Sequence, residues 1–270
     1  MVTFPPCKIN LGLHVLSRRP DGYHNIETCF YPVPWTDMLE IIPSDKFGFT
    51  HSGPAISGKE EDNLCIRAYT LMKQGFGISP IRMHLHKVIP SGAGLGGGSS
   101  DGAATIKLLN EILSLGMGID KLRSYAAQLG SDSPFFIDPQ PMLGTGKGEE
   151  LIPVTVPLKG KFLMLVSPDI HSSTTEAYRR VNAQPAKRPL NNVLKKPIGE
   201  WKDNLVNDFE TSVFMQYPVL HTIKEKLYQR GALYASMSGS GSTMFGVFDS
   251  PQDKGKDFQG MRFWSGELTQ

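Results

Sequence analysis

The stretch VIPSGAGLGGGSSDGAATIKLLNEIL (residues 88–113) carries the strongest structural signal in the chain. Six glycines lie in or just before a helical pattern, and they are Gly92, Gly94, Gly96, Gly97, Gly98 and Gly102. Glycine permits positive φ and close approach of other groups, so successive N–H groups can line one concavity and bind an anion. A helix N-terminus directly behind adds free N–H donors and partial positive charge. Residues 90–102 therefore have the chemistry of a phosphate-binding loop, and a flexible surface loop is the weaker interpretation.

Other nucleotide-binding motifs match this stretch poorly. A Walker A loop needs GxxxxGK[ST], and no lysine follows a glycine within residues 88–113. The string from Gly92 to Gly97 matches GxGxxG, but a Rossmann unit needs a second strand after its helix. A second helical pattern follows instead, and the HRD and DFG motifs of protein kinases are absent. An NAD-binding oxidoreductase therefore ranks only third among the candidate functions, behind those described below.

Composition and charge limit the class of protein. The 270 residues are 40% apolar and 20% charged, which suffices for one large or two smaller domains. The 28 basic and 26 acidic residues nearly balance, so no strong field favours nucleic acid or a membrane surface. There is no signal peptide or long apolar run, and the widely spaced Cys7, Cys29 and Cys65 suggest reduced thiols. We expect a soluble cytoplasmic protein, monomeric or homodimeric, that binds a small molecule.

Apolar periodicity predicts an α+β protein. The predicted strands cover residues 8–16, 26–33, 38–42, 81–89 and 162–166. The predicted helices cover residues 63–76, 101–115, 119–129 and 218–230. The first strand alternates apolar and polar residues, which predicts that one of its faces is exposed. Residues 182–197 are predicted to form an irregular surface segment. Ser99, Ser100 and Asp101 are residue types that favour the N-cap position, here of the helix that follows the glycines.

Three further positions are candidates on chemistry alone. A phosphate loop without its own lysine needs a cation from elsewhere, and Lys8 lies beside Asn10 on the polar face of the first strand. An ordinary solvated lysine is the favoured interpretation on pattern alone. Asp132, in the string GSDSP, is equally compatible with a catalytic base and with a plain helix N-cap. His84 and His86 share a strand face, but they lack a third metal ligand and read as a solvated face.

Several motifs together resemble a known family. PSGAGLGGGSSDGAA (90–104) is similar to the phosphate loop of the galactokinase, homoserine kinase, mevalonate kinase and phosphomevalonate kinase superfamily. CKINLGLHVLSRRPDGYHNIET (7–28), LGSDSPFFI (129–137) and SMSGSGSTMFGVF (236–248) resemble the branch that acts on cytidylyl-methylerythritol in the non-mevalonate isoprenoid pathway. EDNLCIRA (61–68) and LVNDFE (205–210) agree with that branch. Ser131 and Ser133 depart from it, since Ala and Val are expected beside the acid.

The resemblance implies a fold and a reaction. It implies an N-terminal ribosomal-protein-S5-like domain (1–155) that binds ATP and a C-terminal ferredoxin-like domain (156–270) on the substrate side. The implied reaction transfers a phosphoryl group from ATP, with Mg²⁺, to the 2-hydroxyl of the cytidylyl-methylerythritol. A sister kinase with another hydroxyl acceptor and a non-catalytic nucleotide-binding module are the alternatives.

The resemblance also implies roles for individual residues. Lys8 and Asp132 form the catalytic pair. The implied ATP-binding residues are Pro90, Ser91, Gly92, Ala93, Gly94, Leu95, Gly96, Gly97, Gly98, Ser99 and Ser100, and Mg²⁺ is expected to arrive with ATP near Ser99 or Ser100. The implied substrate-binding residues are Asn10, Tyr23, His24, Thr174 and Tyr178. Residues 62–64 are a candidate for the adenine side, and the turn at 238–242 either lines the acceptor side or is a simple hairpin turn.

Overall fold

The structure is a computed structural model that describes residues 1–56 and 58–269. The strands in this part of the chain are β1 (Val2–Thr3), β2 (Pro6–Arg18), β3 (His24–Thr36), β4 (Met38–Pro43), β5 (Gly48–Ser52), β6 (Ile81–His86), β7 (Met142–Thr145), β8 (Glu150–Pro153), β9 (Phe162–Ser167), β10 (Tyr234–Met237), β11 (Met244–Phe248) and β12 (Arg262–Glu267). The α-helices are α1 (Leu64–Phe76), α2 (Gly97–Ile112), α3 (Ile119–Ala127), α4 (Thr174–Arg180), α5 (Leu190–Leu194), α6 (Glu210–Gln216) and α7 (Pro218–Gln229). Short 3₁₀ helices cover Glu60–Asp62, Ser133–Ile137 and Ile198–Glu200.

The chain forms two compact units that alternate along the sequence. Unit 1 comprises Met1–Lys8, Pro32–Ser91 and Gly96–Pro139, and unit 2 comprises Ile9–Tyr31, Gly92–Leu95 and Gln140–Gln270. Unit 1 contains a sheet of order β1-β4-β6-β5, in which only β5 and β6 run parallel. Unit 2 contains an antiparallel sheet of order β10-β11-β9-β12, and a further sheet has the order β2-β3-β7-β8. The domain boundary at 155/156 stays a prediction.

Each unit is organised around buried apolar faces. In unit 1, α1 and α2 pack together, and Gly102 of α2 lets the helices approach: a Cβ there would lie 3.0 Å from Leu64 Cβ. In unit 2, a core cluster joins residues of β9, β10 and β11 to Leu220, Ile223 and Leu227 of α7. Burial of such side chains is the main favourable contribution to folding.

The prediction that the first strand is half-exposed is wrong. Nearly every residue of β2 is buried, including Lys8, Asn10 and His14 on the polar face. Within unit 2, the chain around Leu190 and Leu205 covers this strand so tightly that a Cβ on Gly12 would lie 2.7 Å from both leucine side chains. The polar face is therefore an interior face, and its side chains must find partners inside the protein.

Two predicted boundaries differ from the structure for physical reasons. Helix α2 begins at Gly97 rather than at residue 101, because Gly96 adopts the left-handed φ of +69° and acts as the N-cap. Ser99, Ser100 and Asp101 consequently lie inside the first turns of the helix and not at its cap. Strand β6 ends at His86, three residues before the predicted end, where the chain turns towards the glycine loop.

The surface segment predicted for residues 182–197 is only partly irregular and exposed. It contains α5, whose Leu190, Val193 and Leu194 are buried. The polar tail after Phe248 supplies the edge strand β12, which pairs with β9.

No helix among residues 1–56 and 58–269 combines the length and apolar character needed to cross a membrane.

Candidate active site

The glycine loop turns sharply at alternate positions. Gly92, Gly94 and Gly96 all have positive φ, between +65° and +79°. At Gly94 glycine is required, because a Cβ would lie 2.0 Å from the carbonyl oxygen of Ser238. At Gly96 a Cβ would lie 2.9 Å from Phe136 and 3.1 Å from Cε of Lys8. These close approaches explain why the loop is rich in glycine.

The loop leads directly into the N-terminus of α2. The first bond of the helix runs from the N–H of Ser100 to the carbonyl of Gly96, so the N–H groups of the preceding helical residues have no acceptor inside the helix. Ser100 is buried, and its hydroxyl finds no hydrogen-bond partner among residues 1–56 and 58–269. Free N–H donors and an unpaired buried hydroxyl fit a phosphate group with its metal ion.

Lys8 and Asp132 lie side by side in unit 1. The Lys8 Nζ is 3.5 Å from Oδ2 of Asp132. The Lys8 side chain is 4% exposed, whereas that of Asp132 is 33% exposed and open to solvent or a ligand. Since Lys8 also contacts the loop at Gly96, the ammonium group lies next to both the carboxylate and the phosphate loop.

Asp132 does not act as an ordinary helix cap. It precedes the 3₁₀ helix Ser133–Ile137, all of which the structure describes, yet its side chain makes no capping hydrogen bond to that helix. An N-cap aspartate normally accepts such a bond. The carboxylate is directed to Lys8 instead, which favours the functional interpretation of the two that the sequence left open.

Asn10 belongs to a buried hydrogen-bond network in unit 2. Its Nδ2 donates to Oγ1 of Thr28 at 2.9 Å, and that hydroxyl donates to the carbonyl of Gly12. The glycine turn at 238–242 lies next to Asn10, since a Cβ on Gly239 would be 3.4 Å from Asn10 Oδ1. The turn joins β10 to β11 as a hairpin, in agreement with its glycine-rich sequence.

Thr174 is tied to the same glycine turn. Its hydroxyl lies 2.8 Å from Oγ of Ser240, and Ser172 Oγ donates to the Ser240 carbonyl at 2.6 Å. Ser242 Oγ donates to the carbonyl of Ile170. The segment that begins α4 is therefore held against the turn by three hydrogen bonds.

Of the three aromatic residues predicted to bind a nucleobase, His24 and Tyr178 are in contact with each other. His24 and Tyr178 stack with ring centroids 5.1 Å apart and an interplanar angle of 21°. Tyr23 is 60% exposed, and Lys147 Nζ lies 5.0 Å from its ring centroid. Burial, with a smaller effect of Arg18, lowers the pKa of His24. A neutral imidazole can both donate and accept a hydrogen bond.

Comparison with known proteins places this geometry in a family. The family model "GHMP kinases N terminal domain" matches residues 63–138, and "GHMP kinases C terminal" matches residues 191–264. The 4-diphosphocytidyl-2-C-methyl-D-erythritol kinase of Cytophaga hutchinsonii is 52% identical over 93% of both chains. The enzyme of that name from Parabacteroides distasonis is 47% identical over the full length of both. The chain is a member of the 4-diphosphocytidyl-2-C-methyl-D-erythritol kinase family.

Solved structures agree with membership of this kinase family. A crystal structure of 4-(cytidine 5'-diphospho)-2C-methyl-D-erythritol kinase has a TM-score of 0.84 and 31% identity, with full coverage of both chains. A mevalonate kinase from L. major has a TM-score of 0.71 at 16% identity, over 99% of this chain and 96% of that one, which shows a shared fold. The predicted α+β small-molecule kinase fold is confirmed.

Sequence reasoning missed two residues, His171 and Asn207, that shape the site of this kinase. The His171 ring lies against the glycine loop, because a Cβ on Gly92 would be 2.8 Å from its Nδ1. Asn207 Nδ2 donates to the carbonyls of Met237 and Gly239, both at 2.8 Å, and so holds the glycine turn. The string LVNDFE pointed to the neighbourhood of Asn207, but no pattern marked His171.

Residues 62–64, the candidate for the adenine side, run from the end of the 3₁₀ helix Glu60–Asp62 to the first residue of α1 in this kinase. Asn63 is the N-cap of that helix, and its Oδ1 accepts a hydrogen bond from the N–H of Cys65 at 2.9 Å. This capping bond gives Asn63 a structural role. A contact between this stretch and adenine remains a prediction.

Proposed function

We propose that the chain catalyses transfer of the γ-phosphoryl group of ATP to the 2-hydroxyl of 4-diphosphocytidyl-2-C-methyl-D-erythritol, which yields the 2-phosphate and ADP. The observation that carries the mechanism is the contact between Lys8, Asp132 and the phosphate loop at Gly96. Phosphoryl transfer requires charge neutralisation, positioning of the acceptor and a destination for the hydroxyl proton. These three groups can supply all three requirements.

The roles of the pair follow from their surroundings. Asp132 is open on one side, so the acceptor hydroxyl can donate its hydrogen to the carboxylate and later transfer the proton there. Lys8 is buried beside the loop, where its ammonium group neutralises negative charge on the attacking oxygen and on the transferred phosphoryl group. Lys8 also holds the Asp132 side chain in place, because its Nζ lies 3.5 Å from Oδ2 of Asp132.

The glycine loop is proposed to hold the β- and γ-phosphates of ATP. The N–H groups at the start of α2 act as donors, and residues 90–100 form the surrounding loop. Ser100 is the better candidate for the metal side, because its buried hydroxyl lacks a partner in the described chain. Mg²⁺ bound with ATP would neutralise negative charge on the phosphates. The described residues contain no cluster of acidic, histidine and cysteine side chains that would hold a metal by itself.

The cytidine end of the acceptor is proposed to bind at Tyr23, His24 and Tyr178. A separation of 5.1 Å between the His24 and Tyr178 rings is that of rings in direct contact. Cytosine would therefore stack against this pair or on Tyr23, and not between His24 and Tyr178. The neutral imidazole of His24 suits the polar edge of the base. Asn10 and Thr174 are proposed to bind the rest of the acceptor.

Cellular location and assembly are further proposals. The three cysteines are free and buried, and burial raises the pKa of each thiol. Such thiols are unreactive and are compatible with a reducing cytoplasm. A monomer or a homodimer would satisfy the chemistry of the site, since Lys8, Asp132 and the loop belong to one chain.

The proposed reaction is tested by ADP release with a panel of acceptors. We expect rapid ADP formation with 4-diphosphocytidyl-2-C-methyl-D-erythritol and only background rates with mevalonate or homoserine. Faster turnover of mevalonate or homoserine would assign the chain to a sister kinase. Binding of ATP without ADP release for any acceptor would instead support a non-catalytic nucleotide-binding module.

Replacing Tyr23 by alanine is expected to raise KM for the cytidylyl acceptor about tenfold or more, because base stacking contributes roughly 1–3 kcal/mol. The substitution removes a mostly exposed side chain, so kcat and the KM for ATP should change little. Initial rates with the acceptor varied at saturating ATP measure this effect. Phe4→Ala is the matched control, because Phe4 is 61% exposed and belongs to unit 1. An unchanged KM in Tyr23→Ala would remove Tyr23 from the base site.

A further inference from the structure

A buried group of three charged side chains lies beneath the phosphate loop. Lys87 donates to Asp37 and, at 2.7 Å, to Oδ2 of Asp101. All three residues belong to unit 1 and are no more than 3% exposed. They were not among the predicted site residues, and the mechanism above does not use them. We refer to Asp37, Lys87 and Asp101 as the buried triad.

The triad joins the two ends of the glycine loop. Lys87 immediately follows β6 and leads into the loop, whereas Asp101 lies in α2, which follows the loop. The start of α2 also packs on the triad, since a Cβ on Gly97 would lie 3.4 Å from Lys87 Nζ and 3.0 Å from Ile89. One ammonium group thus connects the segment before the loop to the helix after it.

Asp37 makes the most direct connection to the loop. Its Oδ1 accepts hydrogen bonds from the backbone N–H groups of Val88 at 2.6 Å and Ile89 at 2.9 Å. Its other oxygen accepts from Lys87. The side chain therefore fixes the direction in which the chain enters residues 90–96, and it does so through charge-assisted bonds.

The surroundings of the triad raise the pKa values of both Asp101 and Lys87. Burial raises the pKa of Asp101 to about 8; Lys87 opposes this rise and Asp37 adds to it. Asp101 Oδ1 has no hydrogen-bond partner within residues 1–56 and 58–269, which agrees with a carboxyl group that holds a proton near neutral pH. Burial alone would lower the pKa of Lys87, but the two acids outweigh it and raise that pKa.

We propose that Asp37 is a positioning residue for ATP, which aligns the phosphate-binding loop by holding the N–H groups of Val88 and Ile89, with Lys87 fixing Asp37 in place. The proposal rests on the proposed function only in that the loop binds a nucleotide. It predicts an effect on nucleotide affinity and not on recognition of the cytidylyl acceptor. A role in stability alone would lower the melting temperature and leave the affinity of the folded protein unchanged.

The first test is the affinity for a non-hydrolysable ATP analogue, measured by calorimetry on the full chain without acceptor, well below the melting temperature. We expect Asp37→Asn to weaken binding about tenfold or more, the effect of losing a charge-assisted hydrogen bond. Asp101→Asn should have a smaller effect, because Asp101 bonds to no loop N–H group. The control is Asp208→Asn, which removes a carboxylate that accepts the N–H of Val15 at 2.8 Å in unit 2.

An unchanged affinity in Asp37→Asn, or a larger loss in Asp101→Asn, would overturn the proposal. Because this test uses neither turnover nor acceptor, its failure is distinct from failure of the acceptor panel. A second measurement uses the wild-type chain and does not depend on folding of a variant. Hydrogen exchange should show Val88 and Ile89 amides protected without nucleotide, whereas amides of residues 97–99 gain protection only when the analogue is added. Fast exchange of Val88 and Ile89 in the free protein would also overturn the assignment.

Discussion

Asp132→Asn is expected to lower kcat by about 10³-fold, the usual range for loss of a positioned general base, while the affinity for ATP stays nearly unchanged. Asparagine has the shape of aspartate but cannot accept the hydroxyl proton. It also removes the negative charge 3.5 Å from the buried Lys8 ammonium. Single-turnover phosphoryl transfer measures the chemical step, and a titration with the non-hydrolysable ATP analogue measures binding.

The control for this substitution is Asp138→Asn, six residues along the chain. Asp138 is about half exposed and lies 3.9 Å from Arg123, in the same unit as Asp132. It should retain near wild-type kcat, because an exposed ion pair contributes little. If Asp132→Asn were as active as Asp138→Asn, Asp132 would have no role in proton transfer, and the pair with Lys8 would be structural.

The longer helices and several strands were predictable because they depend on local periodicity, whereas the short elements β1, β5, β7, β8, α4, α5 and α6 were not predicted. The spacing of apolar residues located α1, α7 and β4 to within one or two residues at each end. The start of α2 was missed because glycine has a low helix propensity, whereas here three glycines surround the helix start. Gly96 and Gly97 are explained by close contacts with Lys8 and Ile89, which no helix pattern contains.

The burial of polar side chains was not predictable, because it depends on partners far away in the sequence. Alternation in β2 suggested an exposed face, yet Asn10 bonds to Thr28 and Lys8 contacts Asp132. Each pair provides the compensation that a buried polar group requires. The catalytic roles of Lys8 and Asp132 were predicted from the motif resemblance; the residues alone favoured a solvated lysine at position 8 and left Asp132 open. Asp37 carried no signal at all, because a lone aspartate between two strands is ordinary in any sequence.

The largest loss of stability is expected for Gly94→Ala, with a fall in the free energy of unfolding of about 3 kcal/mol or more. Two causes act together. Gly94 has a φ of +79°, which L-residues rarely adopt, and a Cβ there would lie 2.0 Å from the Ser238 carbonyl oxygen. That oxygen is backbone and cannot move aside as a flexible side chain would. The Ser238 hydroxyl also donates to the Gly94 carbonyl at 2.8 Å, so the clash separates two bonded segments.

Gly160→Ala is the control that measures the effect of backbone strain without a steric clash. Gly160 has nearly the same φ, +78°, and no described atom outside its chain neighbours lies within 4 Å of its Cβ position. Its substitution should cost only about 1–2 kcal/mol, the penalty of a left-handed conformation. Urea unfolding measures both variants, and a thermal-shift titration with the ATP analogue should show weakened binding for Gly94→Ala alone. Equal losses of stability in the two variants would mean that the contact between the loop and the turn at 238–242 is absent in solution. The loop would then lack the support on which its phosphate-binding shape depends.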